Sequence, residues 1–227
     1  LPDLDPPFYV SNDTPARNQI VNLSANVSNT GVVPANDVLV RFKDNDSVIE
    51  DVIVERIAPG EMVVVNSSWM ADYPLGWHNL SVVVDPMDVI PEMNTSNNRN
   101  STMVNVQGVV DLVLSQSDVE VDPPSPTVNM STGVTVTVRN NGDVGGSNVN
   151  LSLYVTPQGG TEILVDHSTI SSIAVGGSGI TTLHWTPSQT GPYDLRLKAV
   201  DESSTPELAD DDDELTFSVT VKDYADL

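Results

Sequence analysis

The 227-residue chain contains no cysteine, which excludes a disulfide framework, a thiolate metal site and a cysteine nucleophile. Basic residues are scarce: nine Lys and Arg stand against 32 Asp and Glu, for a formal net charge of −23. Binding a phosphate backbone depends on Lys and Arg displacing counterions, so nucleic acid is excluded as a partner. Such a surface fits high salt, bound divalent cations or solubility through self-repulsion, and composition does not choose among them. No 18 apolar residues run together, so no membrane span is expected. An initiator Met and a signal-peptide pattern are both missing at Leu1, and the sequence reads as an excerpt or a processed form. Helical periodicity is missing as well, over every stretch of ten or more residues.

What is present favours strands: 16 prolines, 14 glycines and abundant Val, Thr, Ser and Asn. The chain also repeats. "VSNTGVVPANDVLVRF" from Val27 matches "VRNNGDVGGSNVNLSLYV" from Val138, with Gly31 over Gly142. "IAPGEMVVVNSSWMADYPLGWHNLSVVVDP" from Ile57 matches "IAVGGSGITTLHWTPSQTGPYDLRLKAVD" from Ile173, with Trp69 over Trp185 and Asp85 over Asp201. "IPEMNTSNNRNSTMVNV" from Ile90 matches "TPELADDDDELTFSVTV" from Thr205. The order of segments is the same in both halves, which places one domain at 1–107 and a second at 108–223. Tyr224-Ala225-Asp226-Leu227 aligns with "LPDL" at Leu1 and "VVDL" at Val109, and reads as the start of a further repeat at 224–227.

Each half is predicted to hold about seven short strands; in the first they fall near 8–12, 20–28, 37–43, 51–56, 61–70, 78–85 and 101–106. Val21, Leu23, Ala25 and Val27 alternate toward one face, as do Val134, Val136 and Val138. Gly31 and Gly142 sit in turn clusters and are expected to take positive φ. The fold class is therefore all-β, two tandem immunoglobulin-like β-sandwiches, with Trp69 and Trp185 as core anchors. Trp77, in "ADYPLGWH", is matched to Tyr193 in "QTGPYDL" and expected to close the edge of its sandwich. Exposed instead, Trp77 and Tyr73 would offer faces on which a sugar could stack.

The Pro2-Asp3-Leu4 opening, the "VSNTGVVPANDVLVRF" strand pair, the "APGE" stretch before Trp69 and the "VVVDPMDVIPEMNTSNN" ending together resemble the CARDB domain. This is an immunoglobulin-like module found in tandem on archaeal and bacterial surface proteins. The resemblance covers nearly the whole chain, twice. The second copy departs from it at "TPELADDDDE" and at the insertion "TPQGGTEILVDH". It implies an extracellular, cell-surface, multidomain context with adhesion or scaffolding roles, and no catalytic residues.

Two features could carry function. N-x-S/T acceptor tripeptides begin at Asn12, Asn22, Asn26, Asn45, Asn66, Asn79, Asn94, Asn100, Asn129 and Asn150. With 19 Asn and 41 Ser plus Thr, independent placement gives roughly 3 to 4, so the observed number is about a threefold excess. Strand phase sends Asn22, Asn26, Asn66, Asn79 and Asn150 to solvent, as an N-linked glycan requires. The alternative is that Asn and Ser favour exposed strand faces and turns anyway. Acidic loops recur at equivalent places: Asp85, Asp88, Glu92, Asn94 and Asn98 in the first half, Asp201, Glu202, Glu207 and Asp210 to Asp213 in the second. Oxygen ligands of this kind suit Ca²⁺, with Asp85, Glu92, Asn98, Asp201, Glu207 and Asp213 as the ligands to test. There is no EF-hand spacing, and Asx turns or plain solvation explain the same residues.

Enzyme chemistry finds little footing. His78, His167 and His184 are dispersed, and "GGSGI" around Ser178 lacks the second glycine and the helix of a nucleophile elbow. The leading expectation is a structural module of a glycosylated, acidic stalk, filament or surface layer. Its partners would be neighbouring repeats or identical subunits, with residues 8–12 a candidate donor strand. The alternatives are an adhesin or carbohydrate-binding module that takes surface glycans, or an accessory domain of a surface hydrolase. The junction "VNVQGVVDL" lacks the Gly/Ser or Pro runs of a flexible tether, which suggests restricted bending.

Overall fold

A computed structural model describes residues 1–203, 205–208 and 212–224. Asp210 and Asp211 of the acidic run, and Ala225, Asp226 and Leu227 of the third opening, lie outside the described residues. Contacts divide the chain into two units, Leu1–Gln107 and Gly108–Leu227.

The first unit contains β1 (Leu4–Asp5), β2 (Phe8–Val10), β3 (Ile20–Asn29), β4 (Ala35–Asp44), β5 (Ser47–Ile57), β6 (Met62–Met70), β7 (Gly76–Val84) and β8 (Arg99–Val106). These eight strands are one more than the sequence suggests. The extra one arises because Pro6 and Pro7, which have no N–H to give a ladder, split the opening strand into β1 and β2. Both pieces pair with β3, and β6 pairs with its other side. The second sheet runs β5-β4-β7-β8, and all these pairings are antiparallel.

Alternation in β3 buries Val21, Leu23, Ala25 and Val27. They meet Val38, Val40 and Phe42 of β4 and Leu80, Val82 and Val84 of β7 between the sheets, with Trp69 in the same core. Burying aromatic and aliphatic side chains of this size contributes about 1.5–3 kcal/mol each, so two facing strand sets hold the sandwich without a disulfide.

The second unit repeats the plan with β9 (Leu112–Val113), β10 (Val119–Asp122), β11 (Thr132–Asn140), β12 (Gly146–Pro157), β13 (Ile163–Ile173), β14 (Ser178–Trp185), β15 (Gly191–Asp201) and β16 (Glu214–Val221). Here β9 and β10 pair with one side of β11 and β14 with the other, facing a β13-β12-β15-β16 sheet. Val134, Val136 and Val138 are buried with Trp185 in this unit's own core.

Gly31 and Gly142 correct an expectation, since neither has positive φ. What they need is space. A Cβ on Gly31 would lie 2.6 Å from Pro2 Cα, and one on Gly142 would lie 2.7 Å from the Asp111 nitrogen. The opening segment of each unit crosses directly over this glycine.

Candidate functional sites

The most heavily bonded polar side chain of the first unit is Asn29, at the end of β3 and fully buried. Its Oδ1 accepts from the Asp3 and Gly31 amides at 3.2 and 3.1 Å. Its Nδ2 donates to the Val33 and Ile57 carbonyls at 2.8 and 3.0 Å. One carboxamide thus ties the opening strand, the β3–β4 turn and the end of β5. Asn140 does the same in the second unit, joining Asp111, Gly142, Val144 and Ile173.

The acidic loops work beside it. Glu92 accepts from the Leu4 amide at 2.9 Å and from Asn98 Nδ2 at 2.5 Å; Glu207 accepts from the Leu112 amide at 2.6 Å. Burial pushes the Glu92 carboxyl up, and Asp85 and Asp3 add to the rise while its two hydrogen bonds oppose it. At Glu207 burial has a larger effect, raising the carboxyl to about 7 against the Leu112 N–H, with Asp111, Asp213 and Asp212 contributing. Asp85 accepts from the Val89 and Ile90 amides and so closes its own loop. Asp201 does the same through Ser203 and also accepts from the Ser147 amide. Asn98 and Asp213 occupy equivalent places, their carbonyls accepting from Val84 and Ala199. Among the described residues no three or more His, Asp and Glu side chains are grouped to hold a metal ion. Of the side chains predicted as Ca²⁺ ligands, Glu92 and Glu207 clasp the opening strands of their units, while Asp85 and Asp201 bond their own loops.

The acceptor asparagines divide by exposure. Asn22, Asn45, Asn66, Asn94, Asn100 and Asn129 are exposed, whereas Asn12, Asn26, Asn79 and Asn150 are half-buried. Phase therefore gives full exposure to two of the five strand positions, Asn22 and Asn66. Asn26, Asn79 and Asn150 point outward with neighbours crowding them, and the Asn150 Oδ1 is buried with no hydrogen-bond partner among the described residues. In register, Asn22 lies opposite Ser68, Ser24 opposite Asn66, and Asn26 opposite Val64. Because a strand repeats every two residues, the Asn and hydroxyl of each tripeptide point the same way, and three acceptors share one sheet face. Asn12 Nδ2 donates to Gln19, Asn45 Nδ2 donates to Asp44, and Asn94 Oδ1 accepts from Ser96 of its own tripeptide.

At the opposite end of each sandwich the repeats diverge. Gly76 pairs with Val106 and Gly191 with Val221, which makes His78, and not Trp77, the counterpart of Tyr193. His78 is buried against Trp69 with ring centroids 5.1 Å apart, as Tyr193 packs on Trp185 at 4.8 Å. Its Nδ1 lies 2.9 Å from both Asp44 oxygens, and its Nε2 lies 2.7 Å from the Pro74 carbonyl. Trp77 is 66% exposed and does not close the sandwich edge. Tyr73 is also exposed, with the Arg17 guanidinium 5.1 Å above its ring. Register likewise sets Val155 where Asp44 stands, so the second unit has Val155 and Tyr193 in place of the hydrogen-bonded His78 and Asp44. There an open cleft of about 400 Å³ lies between the sheets.

The CARDB family model matches residues 1–102 and again 109–217, nearly the whole chain. The chain belongs to the CARDB family. A CARDB domain from Pyrococcus furiosus, solved in complex with di-metal ions, is 24% identical with a TM-score of 0.44, over 47% of this chain and 89% of that one. A domain from Methanosarcina acetivorans, provisionally described as part of a cell-surface protein, is 24% identical with a TM-score of 0.42, over 47% and 93%. Red sea bream transglutaminase is 13% identical with a TM-score of 0.37; the match covers 96% of this chain but 31% of that enzyme. No protein of curated description matches.

Within each CARDB unit, sequence reading finds Trp69 and Trp185 and the acidic loops but misses Asn29, Asn140 and His78. The signal for the asparagines is their identical position two residues before the crowded glycine in both repeats. For His78 it is the glycine two residues earlier, with φ of 100° at Gly76 and 112° at Gly191, which fixes the alignment.

Proposed function

We propose that this tandem CARDB chain is a non-catalytic structural module of a glycosylated, acidic cell-surface protein, holding other parts of that protein away from the cell and associating with neighbouring repeats or identical subunits. The observation that carries this reading is the outer face of β3 and β6, where Asn22, Ser24, Asn26 and Ser28 alternate with four buried apolar residues and Asn66 lies opposite Ser24. The same face exposes Ile20, Met62, Val64 and Met70, so it is a mixed face on which the asparagines offer attachment points for sugar between apolar side chains. Eight of the ten acceptors lie in the first unit, which would carry most of the coat. Negative charge adds repulsion between neighbours. In this reading the clasps seat the opening strands and folding needs no cation.

A second reading, binding of a surface glycan, gains support from the exposure of Trp77 beside Tyr73. The test is antibody labelling of intact cells of the source organism viewed by electron microscopy. The structural reading expects label in a continuous outer layer or filament before lysis. Label that appears only after lysis would sink it. Loss of cell or glycan adhesion on Trp77→Ala with the layer intact would favour the second reading.

A further inference from the structure

We propose that the cleft at the β12–β13 end of the second unit is a binding site for a neutral pyranose sugar. Val155, Ile163, Val165, Trp185 and Tyr193 form its walls, and His184, Thr186 and Ser188 contribute polar groups. Its volume of about 400 Å³ falls within the roughly 300–1,000 Å³ of small-molecule sites. Among the described residues no Asp, Glu, Lys or Arg lines it, although the chain carries 32 acidic residues. The lining supplies no fixed charge to pair with an ionic ligand and suits an uncharged one.

The Tyr193 hydroxyl is a second, independent observation. Tyr193 is 3% exposed, and its oxygen is buried without a hydrogen-bond partner among the described residues. An unsatisfied buried hydroxyl costs about 1–3 kcal/mol, a cost that a partner entering from the cleft would relieve. The first unit has no such vacancy, because His78 and Asp44 satisfy each other at the equivalent positions. A ligand that matches the second unit needs an apolar face for Val155 and Val165, hydroxyls for Thr186 and Ser188, and a group to pair with Tyr193. A pyranose ring supplies C–H faces and a hydroxyl edge in one rigid body. The site is separate from Trp77 and Tyr73, and it does not depend on the structural reading.

The test uses the 227-residue chain made without glycans, with two-dimensional NMR titrations of methyl β-glucopyranoside, methyl α-mannopyranoside and N-acetylglucosamine, and with cyclohexanol as an apolar comparator. At least one sugar should shift the Trp185, Tyr193 and Val155 signals along a saturable curve and leave Trp77 unmoved. Tyr193→Phe should weaken binding about three- to tenfold while melting at or above the parent's temperature, since the buried hydroxyl makes no hydrogen bond within the described residues. Ile163→Trp, at the exposed rim, should abolish binding. The inference is overturned if no sugar shifts these signals, if Ile163→Trp binds as the parent does, or if cyclohexanol binds more tightly than every sugar.

Discussion

Replacing Asn29 by Ala removes four hydrogen bonds of 2.8–3.2 Å from a fully buried site. At about 0.5–1.5 kcal/mol net for each bond, the sum is about 2–6 kcal/mol. Backbone groups left unpaired in the interior lift the expectation above the low end of that range, to about 3–5 kcal/mol. That is a large share of the roughly 5–15 kcal/mol that holds a domain together. Asn29→Asp should cost at least as much, because a carboxylate would face the Val33 and Ile57 carbonyls that now accept from Nδ2. Hydrogen exchange read by mass spectrometry reports each unit separately. Tenfold in an equilibrium corresponds to about 1.4 kcal/mol, so protection in β3 and β6 should fall by roughly two to three decades. Asn140→Ala should do the same to β11 and β14 through the matching bonds. A loss below about tenfold in either unit would refute the idea that this carboxamide fastens the opening strand.

Stability of the second unit should fall as pH rises from about 4.5 through about 7, because the Glu207 carboxyl is raised in the fold above its ordinary value of 4.5 and the protonated form favours folding. Solvent reaches part of this carboxyl, so the full swing is no more than about 1–2 kcal/mol. Glu207→Gln should flatten the melting temperature between pH 5 and 8, and an unchanged slope would count against burial as the cause. Trp69→Ala should cost the first unit about 3–5 kcal/mol, whereas Trp77→Ala should change stability by less than about 0.5 kcal/mol when both are unfolded in urea. With EDTA, both melting transitions should stay where they are; a drop reversed by CaCl₂ would mean that the acidic loops hold a cation as well as the opening strand.

Much of the fold is legible because its signals are periodic. The Val21, Leu23, Ala25, Val27 alternation and its counterpart at Val134 to Val138 describe strands buried on one face, and the repeat doubles each observation. The opening strand is harder to read, since its two pieces are two and three residues long and are held as much by Asn29 and Glu92 as by their own ladder. Polar residues hide best. Asn29 resembles any turn asparagine, and His78 resembles a surface histidine until Asp44 and Trp69 are seen around it. Matching Trp77 to Tyr193 by aromatic character slips the alignment by one residue, and in a strand that slip exchanges the core face for the solvent face. The acidic loops are visible in sequence, but whether carboxylates meet a cation or a backbone amide is decided by the loop's path. The cleft beside Tyr193 is lined by Val155, which stands where the first unit has Asp44, a difference that strand register brings out, and by Pro157, Ile163 and Val165 of the β12–β13 hairpin.

Glycopeptide mapping of the native protein decides whether these modules carry a sugar coat. Occupied Asn22 and Asn66, exposed on the shared sheet face, with an unoccupied Asn150, whose carboxamide oxygen is buried, is the expected result. Native material in which Asn22 and Asn66 carry no sugar would contradict it.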